Sequence, residues 1–290
     1  MLARVLVSGL VIGCIYGLIA LGYSLIYRAS GLMNFCQGDI LTIGAFLGYT
    51  FYAMLKLPFA VAFILTIVLE IALGMLLERA VIRRLLGKKV DGTYIVLATI
   101  AVSYMLQNGA ILGWGTRIFY FPPIFSVLSV RVFDINIQSE AAFCIVASVI
   151  LMIVLHIFVK YTAYGTAMRA SAMDAKAAKA CGVDPAMTIA LTWGISAAIG
   201  GLCGMLIGPV YGVFITLGAA IGRKGFAGAV IGGFGNMYGA LLGGALLGII
   251  ETVTTAYVSS IYKDVVSYGL LLVFLLIKPT GIFNERAIAD

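Results

Sequence analysis

The chain has 290 residues, 62% of them hydrophobic and 11% charged, with a net charge of +7 and a mean hydropathy of +1.11. So little charge cannot cover a soluble domain of this length, which sets aside the water-soluble classes. The apolar runs are too long, and too free of alternation, for a membrane barrel, so the expected fold is all-α: a polytopic transmembrane helical bundle, one domain over 1–290.

The first run, 5–27, contains "VIGC" at Val11–Cys14, which resembles a lipoprotein cleavage site. The apolar stretch continues unbroken to Tyr27, so it reads as a retained first helix. Gly31 then breaks the pattern, and Asn34, Gln37 and Asp39 follow it ahead of a small-residue run at 40–55. Further runs cover 57–78, 94–113, 141–160, 186–208, 225–258 and 264–278. The run 225–258 is too long for one crossing and holds a glycine cluster, which gives about 8–9 spans with interrupted helices. Between 114 and 140, Trp114, Phe119, Tyr120, Phe121 and Pro122–Pro123 suit an interfacial aromatic belt and a stiff turn.

Lys and Arg supply the orientation. Arg79, Arg83, Arg84, Lys88 and Lys89 crowd one loop, Lys160, Arg169, Lys176 and Lys179 another, and Lys278 and Arg286 follow the last run. If these are cytoplasmic, 11 of the 19 basic residues lie inside, as the positive-inside tendency requires. The net positive charge is then a matter of membrane orientation, and no nucleic-acid partner is expected.

The second basic loop carries "GTAMRASAMDAKAAKACGVDP", Gly165–Pro185. Thr166 can cap its start, alanines propagate it, Gly182 suits a left-handed stop, and Asp184–Pro185 opens the next helix. The expectation is one helix over 166–181, too polar to cross a bilayer and small-faced enough for close docking. A solvated surface helix fits the same pattern.

Polar residues inside the apolar runs are the candidates for function. Gly31–Asn34 and Gly233–Asn236 share the form Gly-x-x-Asn before a glycine-rich helix. Paired interruptions of this kind point to a substrate path, which would take Asn34, Gln37 and Asp39 from one break and Gly232, Gly233 and Asn236 from the other. Helix packing is the other use of such glycines, and it suits Gly239, Gly243, Gly244 and Gly248. Glu251 joins the path candidates as an intramembrane acid that could instead pair with Arg223. Glu70 is a second mid-span acid. The scattered cysteines and the lone His156 imply no metal site. Without a phosphate-binding loop or a Ser-His-Asp set, the chain is expected to have no cofactor and no enzyme activity.

Lys176-Ala177-Ala178, three residues and Gly182 resemble the E-A-A-x-x-x-G signature of ABC importer permeases, with Lys176 in place of the usual Glu. No Leu-Pro pair follows, which fits the branched-chain amino acid and ribose branch. "GFAGAVIGGFGNMYGALLGGALLGIIE" (Gly225–Glu251), "GLMNFCQGDILTIGAFLG" (Gly31–Gly48) and "KPTGIF" (Lys278–Phe283) resemble high-affinity branched-chain amino acid permeases. The resemblance implies a transport subunit in a bacterial inner membrane. Its partners would be two ABC ATPase subunits, an extracytoplasmic binding protein and a second permease, with the heterodimer suggested by the short chain. It implies alternating access driven through the 166–181 helix, with Arg169, Lys176, Ala177, Ala178 and Gly182 as coupling residues, and a branched-chain substrate. The same architecture for urea, amides or a sugar, or an ion-coupled secondary transporter using Asp39, Glu70 or Glu251, stays open.

Overall fold

The computed structural model describes residues 2–88, 90–122, 124, 129–132, 135–278 and 280–283. The elements run α1 (Leu2–Ser30), α2 (Gln37–Tyr49), α3 (Phe59–Leu77), α4 (Arg83–Gly87), α5 (Gly92–Trp114), β1 (Ser129–Val132), β2 (Ile135–Gln138), α6 (Ser139–Tyr161), α7 (Ala163–Met173), α8 (Ala175–Ala180), α9 (Pro185–Tyr211), α10 (Leu217–Gly232), α11 (Met237–Tyr257) and α12 (Lys263–Ile277). Two π-helical turns, Thr50–Met54 and Glu78–Ile82, prolong α2 and α3. Among the described residues, α1, α3, α5, α6, α9 and α11 are long and apolar enough to cross a membrane. Helices α2, α10 and α12 are shorter, at 13, 16 and 15 residues. The protein is a multi-pass helical bundle, and its only strands among the described residues form one small antiparallel hairpin, Ser129 opposite Gln138. The 225–258 run divides into α10 and α11, and α10 starts earlier than expected, at Leu217.

Between helices in a bilayer there is little hydrophobic drive, so association depends on close backbone packing. On α1, Gly9, Gly13 and Gly17 recur every four residues and lie on α11. A Cβ at Gly13 would stand 2.7 Å from the Ala245 carbonyl oxygen, and one at Gly17 3.0 Å from that of Leu241. Ascending α1 means descending α11, so the two are antiparallel. Helix α11 carries two such faces: Gly244 and Gly248 meet α1, while Gly239 and Gly243 meet Gly232 and Gly228 of α10. The expected packing role of these glycines is what the structure gives them. Helices α3 and α9 repeat the antiparallel arrangement, with Gly74 on Trp193–Gly194 and Glu70 on Gly201.

The bundle has an internal two-fold relation. Helix α1 lies along α11 and α9 along α3; α2 runs parallel to α9, and α10 parallel to α1. The triplet α1–α2–α3 therefore corresponds to α9–α10–α11 with inverted direction, the plan of many transporter folds. Helices α5 and α12 occupy corresponding places beside α2 and α10.

The two basic loops meet at one end. Arg83 forms a 3.0 Å ion pair with Glu78 and donates a 2.8 Å hydrogen bond to the Ala186 carbonyl. This is the end that the positive-inside tendency leads one to expect on the cytoplasmic side. At the opposite end, Phe119 and Val213 exchange backbone hydrogen bonds of 2.9 and 2.7 Å. The expected aromatic belt is largely turned inward there: Trp114 stacks on Phe46 and donates to Thr50, and Phe119 packs against Tyr49, leaving Tyr120 exposed. Pro123 lies outside the described residues.

Cys181 is exposed at the basic end, and the other four cysteines are buried. An impermeant maleimide should therefore label the native chain at Cys181 alone, and only from the cytoplasmic face. Gln138→Cys should add labelling from the other face; the reverse pattern would invert the topology. For packing, Gly244→Leu would drive a side chain into the Gly17 backbone and should cost about 1–3 kcal/mol. Gly113→Leu, which meets nothing within 4 Å, should be near neutral in the same detergent melting assay.

Candidate translocation path and coupling surface

After α1 ends at Ser30, residues 31–36 are non-helical and turn back into the bundle. Asn34 and Gln37 build this break. The Asn34 side-chain oxygen accepts from the Cys36 backbone N–H at 3.1 Å, and its amide approaches the Gln37 oxygen at 3.4 Å. Gln37 Nε2 donates to the Ser196 carbonyl at 2.8 Å, and Ser196 Oγ lies between the Gln37 oxygen at 3.1 Å and the Gly22 carbonyl at 2.9 Å. The Phe35 N–H donates to Thr99 Oγ1 at 3.2 Å. These bonds satisfy part of a non-helical backbone inside protein, which hydrocarbon depth tolerates only when it is buried in protein or lines a water-filled cavity. Gly22 stands eight residues before the end of α1, which places the start of α2 about 12 Å inside it.

The matching break lies at 212–216, between α9 and α10. Gly212 has φ +80, and Thr216 precedes Leu217 at the start of α10. The starts of α2 and α10 cross in the interior. A Cβ on either Gly38 or Gly218 would overlap the other's carbonyl oxygen, Gly222 sits against the Gly38 Cα, and the Gly218 N–H donates to Thr42 Oγ1 at 2.9 Å. Nothing larger than glycine fits at this crossing.

Beside the crossing a cleft of about 370 Å³ opens between α2, α10, α5 and α12. Its floor is aromatic: Tyr23, Phe35 and Phe226, with Phe35 and Phe226 ring centres 5.3 Å apart. Asp39 faces it from the first turn of α2, a position the helix dipole favours for a carboxylate. Gln107 donates to Asp39 Oδ1 at 2.8 Å and Ser103 donates to Oδ2. Arg223, on α10, is exposed, lines the same cleft and approaches the Tyr268 hydroxyl at 3.4 Å.

The proposed path residues separate into four groups. Asp39 lines the cleft; Asn34 and Gln37 are buried behind it. Gly232, Gly233 and Asn236 do not reach this level. They close the other end of α10, beside Tyr27, where Asn236 caps α11 by accepting from Tyr238 and Gly239 N–H at 3.0 Å each. The Ile282 and Phe283 N–H groups donate to the Ile231 and Gly232 carbonyls there, so residues 280–283 pack on the glycine turn. Glu251 pairs with Lys224 at 2.5 Å rather than with Arg223, and accepts from Tyr16 at 3.0 Å; Lys224 also pairs with Asp264 at 2.8 Å. Glu70 is fully buried with neither carboxyl oxygen hydrogen-bonded. Gln107, which as a polar residue in an apolar run suits either path lining or a bond between helices, lines the cleft. Ser103, Arg223 and the 212–216 break carry no path signal in the sequence.

At the basic end, the expected single helix over 166–181 is two, α7 and α8, meeting at Asp174. Asp174 is extended (φ −152) and accepts from the Lys176 and Ala177 N–H groups at 2.8 and 3.0 Å, so it caps α8. The first cap is Thr162 rather than Thr166, through Gly165 N–H at 3.0 Å. Gly182 is left-handed at φ +84. With Gly182 N–H on Lys179 O and Val183 N–H on Ala178 O, it closes a Schellman stop. Lys176 and Ala177 are exposed, whereas Ala178 is 5% exposed and turned into its own chain. Arg169 donates to the Lys160 carbonyl at 3.1 Å and approaches Thr166 Oγ1 at 3.3 Å.

A family profile described as "Branched-chain amino acid transport system / permease component" matches residues 5–275. The chain is 36% identical over 291 residues to the high-affinity branched-chain amino acid transport system permease protein LivH of Salmonella typhimurium, covering 96% of this chain and 94% of that one. The figures are the same for LivH of Escherichia coli K12. Identity is 35% over 297 residues to BraD of Pseudomonas aeruginosa, with 97% and 95% covered. No solved structure matches. Kinship over nearly the full length, on a bundle whose interruptions and loops fall within the matched residues, places this chain in the family of branched-chain amino acid transport permeases.

Proposed function

We propose that this chain is a permease subunit of an ATP-driven importer in the bacterial inner membrane, and that its cargo is a branched-chain amino acid. The observation that carries the reading is the alignment with LivH and BraD over 96–97% of the chain. The structure supports it with a polar cleft beside crossed helix starts and a compact two-helix elbow at the basic end. In this reading the whole chain is one membrane domain. Two separate ATPase subunits supply the energy, and an extracytoplasmic binding protein delivers the cargo.

The second permease would cover the face on which the cleft opens, where α5 exposes Leu97, Met105 and Leu112 and α12 exposes Leu272 and Leu276. Asp39 then lines the path, and Asn34 and Gln37 brace the break that presents it. Gly232, Gly233 and Asn236 fix the cytoplasmic end of α10, and Glu251 holds α10 through Lys224. Movement of the ATPases reaches the bundle through α8, on which Lys176 and Ala177 face outward. Gly182 and Arg169 keep the elbow rigid, and Ala178 is buried on its inner face.

Two substitutions test the coupling. Ala177→Trp adds bulk on the outward face of α8 and should reduce co-purified ATPase at least tenfold while the permease still inserts. Gly182→Val meets no neighbour, so its cost is the left-handed backbone alone, about 1–2 kcal/mol. It should lower substrate-stimulated ATP hydrolysis with less loss of assembly. Full retention of stimulated hydrolysis in both variants would make the elbow an ordinary surface feature. Leucine uptake into proteoliposomes, with ATP and the cognate binding protein present, tests the cargo. Uptake that follows a sodium or proton gradient and ignores ATP would overturn the reading.

A further inference from the structure

We infer that the cleft recognises both ends of a zwitterionic amino acid: Asp39 takes the ammonium group, Arg223 the carboxylate, and the aromatic floor the apolar side chain. This rests on the import reading above and gives the permease a selectivity of its own, separate from that of the binding protein.

The cleft holds one acid and one base among its lining residues, and they stand on different helices, α2 and α10. Asp39 is 2% exposed as a residue yet contributes to the cleft surface. Ser103 and Gln107 each occupy one of its oxygens. A carboxylate has about four acceptor positions, so two remain for a donor arriving from the cleft. Both holding donors sit one turn apart on α5, which fixes the rotamer of Asp39. Among the described residues Arg223 makes one hydrogen bond, through Nε to the Tyr268 hydroxyl at 3.4 Å, and the Asp264 carboxylate lies within reach of its charge; the terminal guanidinium nitrogens keep donors for an anion. Tyr23, Phe35 and Phe226 line the same cleft and offer apolar surface for an aliphatic side chain. The volume of about 370 Å³ accommodates an amino acid of leucine size with a few waters. A neutral amide or a sugar would leave one or both charges without a partner, a loss that sharply lowers affinity in a partly desolvated site.

The test measures occupancy directly, without the binding protein. Ala219→Cys places a thiol in the cleft, in the assembled complex with Cys181→Ser. Its modification by a small maleimide is followed with leucine, leucinamide (no carboxylate) or 4-methylpentanoate (no ammonium) as protectants. Leucine should protect at concentrations at least tenfold lower than either analogue. Arg223→Gln, an exposed change, should bring leucine and leucinamide to within twofold of each other. Asp39→Asn should do the same for leucine and 4-methylpentanoate. Should Asp39→Asn fail to assemble, the Arg223 arm decides. Equal protection by all three ligands in the unsubstituted cleft, or an unchanged preference in Arg223→Gln, overturns the inference. Protection by sodium chloride relative to choline chloride at equal ionic strength also overturns it, assigning Asp39 to a metal cation. If ATP-driven leucine uptake proceeds while leucine never protects the cleft, this inference falls and the import reading stands. If leucine protects as expected and uptake ignores ATP, the import reading falls alone.

Discussion

The contact on which this architecture depends is the crossing of two polypeptide backbones at Gly38 and Gly218. Helix starts expose N–H groups without intrahelical partners, and two of them inside hydrocarbon need protein around them. Here each start sits on the other and on a long helix, so the freed groups are covered by backbone and by a few side chains: Asn34, Gln37, Thr42 and Ser196. A Cβ at the crossing would force the helices apart and open the interior to lipid or water. The cleft exists because the helices begin there and do not continue through.

The buried charges follow the same geometry. Lys224 is one residue from Arg223, yet it points the other way, into Glu251 and Asp264. Its role is to tie α10 to α11 and α12. A buried pair of this kind contributes little net stability, because desolvation offsets the attraction, but loss of one partner is expensive. The network therefore sets where α10 sits more than how stable the bundle is, and it leaves Arg223 facing the cleft. Glu70 has no such arrangement: it is packed on the bare backbone of Gly201 and its carboxyl oxygens make no hydrogen bond.

Much of this was legible in the residues. Long apolar runs located the main helices, and Gly182 with Asp184–Pro185 marked a helix stop and restart that the dihedrals and caps reproduce. The first interruption was legible because Gly31 and Asn34 punctuate it. The second was not. Its segment, Gly212-Val213-Phe214-Ile215-Thr216, is almost wholly apolar, and its turn is held by a backbone bridge to Phe119 nearly 100 residues away. The glycine cluster at 232–235 drew the pairing instead, because local glycine density carries no information on depth. Asp174 was passed over inside an alanine-rich stretch, although a capping acid before Ala175 splits the elbow. Ala178 was taken as outward-facing because helical periodicity alone does not say which face a neighbouring helix covers.

The two-fold relation between the halves is one of backbone rather than of side chains, and that difference carries functional meaning. Gln37-Gly38-Asp39 opens α2, and Leu217-Gly218-Ala219 opens α10. Glycine recurs where the helices touch, since contact geometry is shared by both halves. The next position diverges: an acid held by α5 on one side, an alanine on the other. In the second half, charge enters later, at Arg223. An inverted repeat lets one half rock against the other about a fixed crossing, and the crossing itself imposes no chemical preference. The two halves differ chemically at the positions beside it. In this chain those positions put a negative group on one helix lining the cleft and a positive group on another.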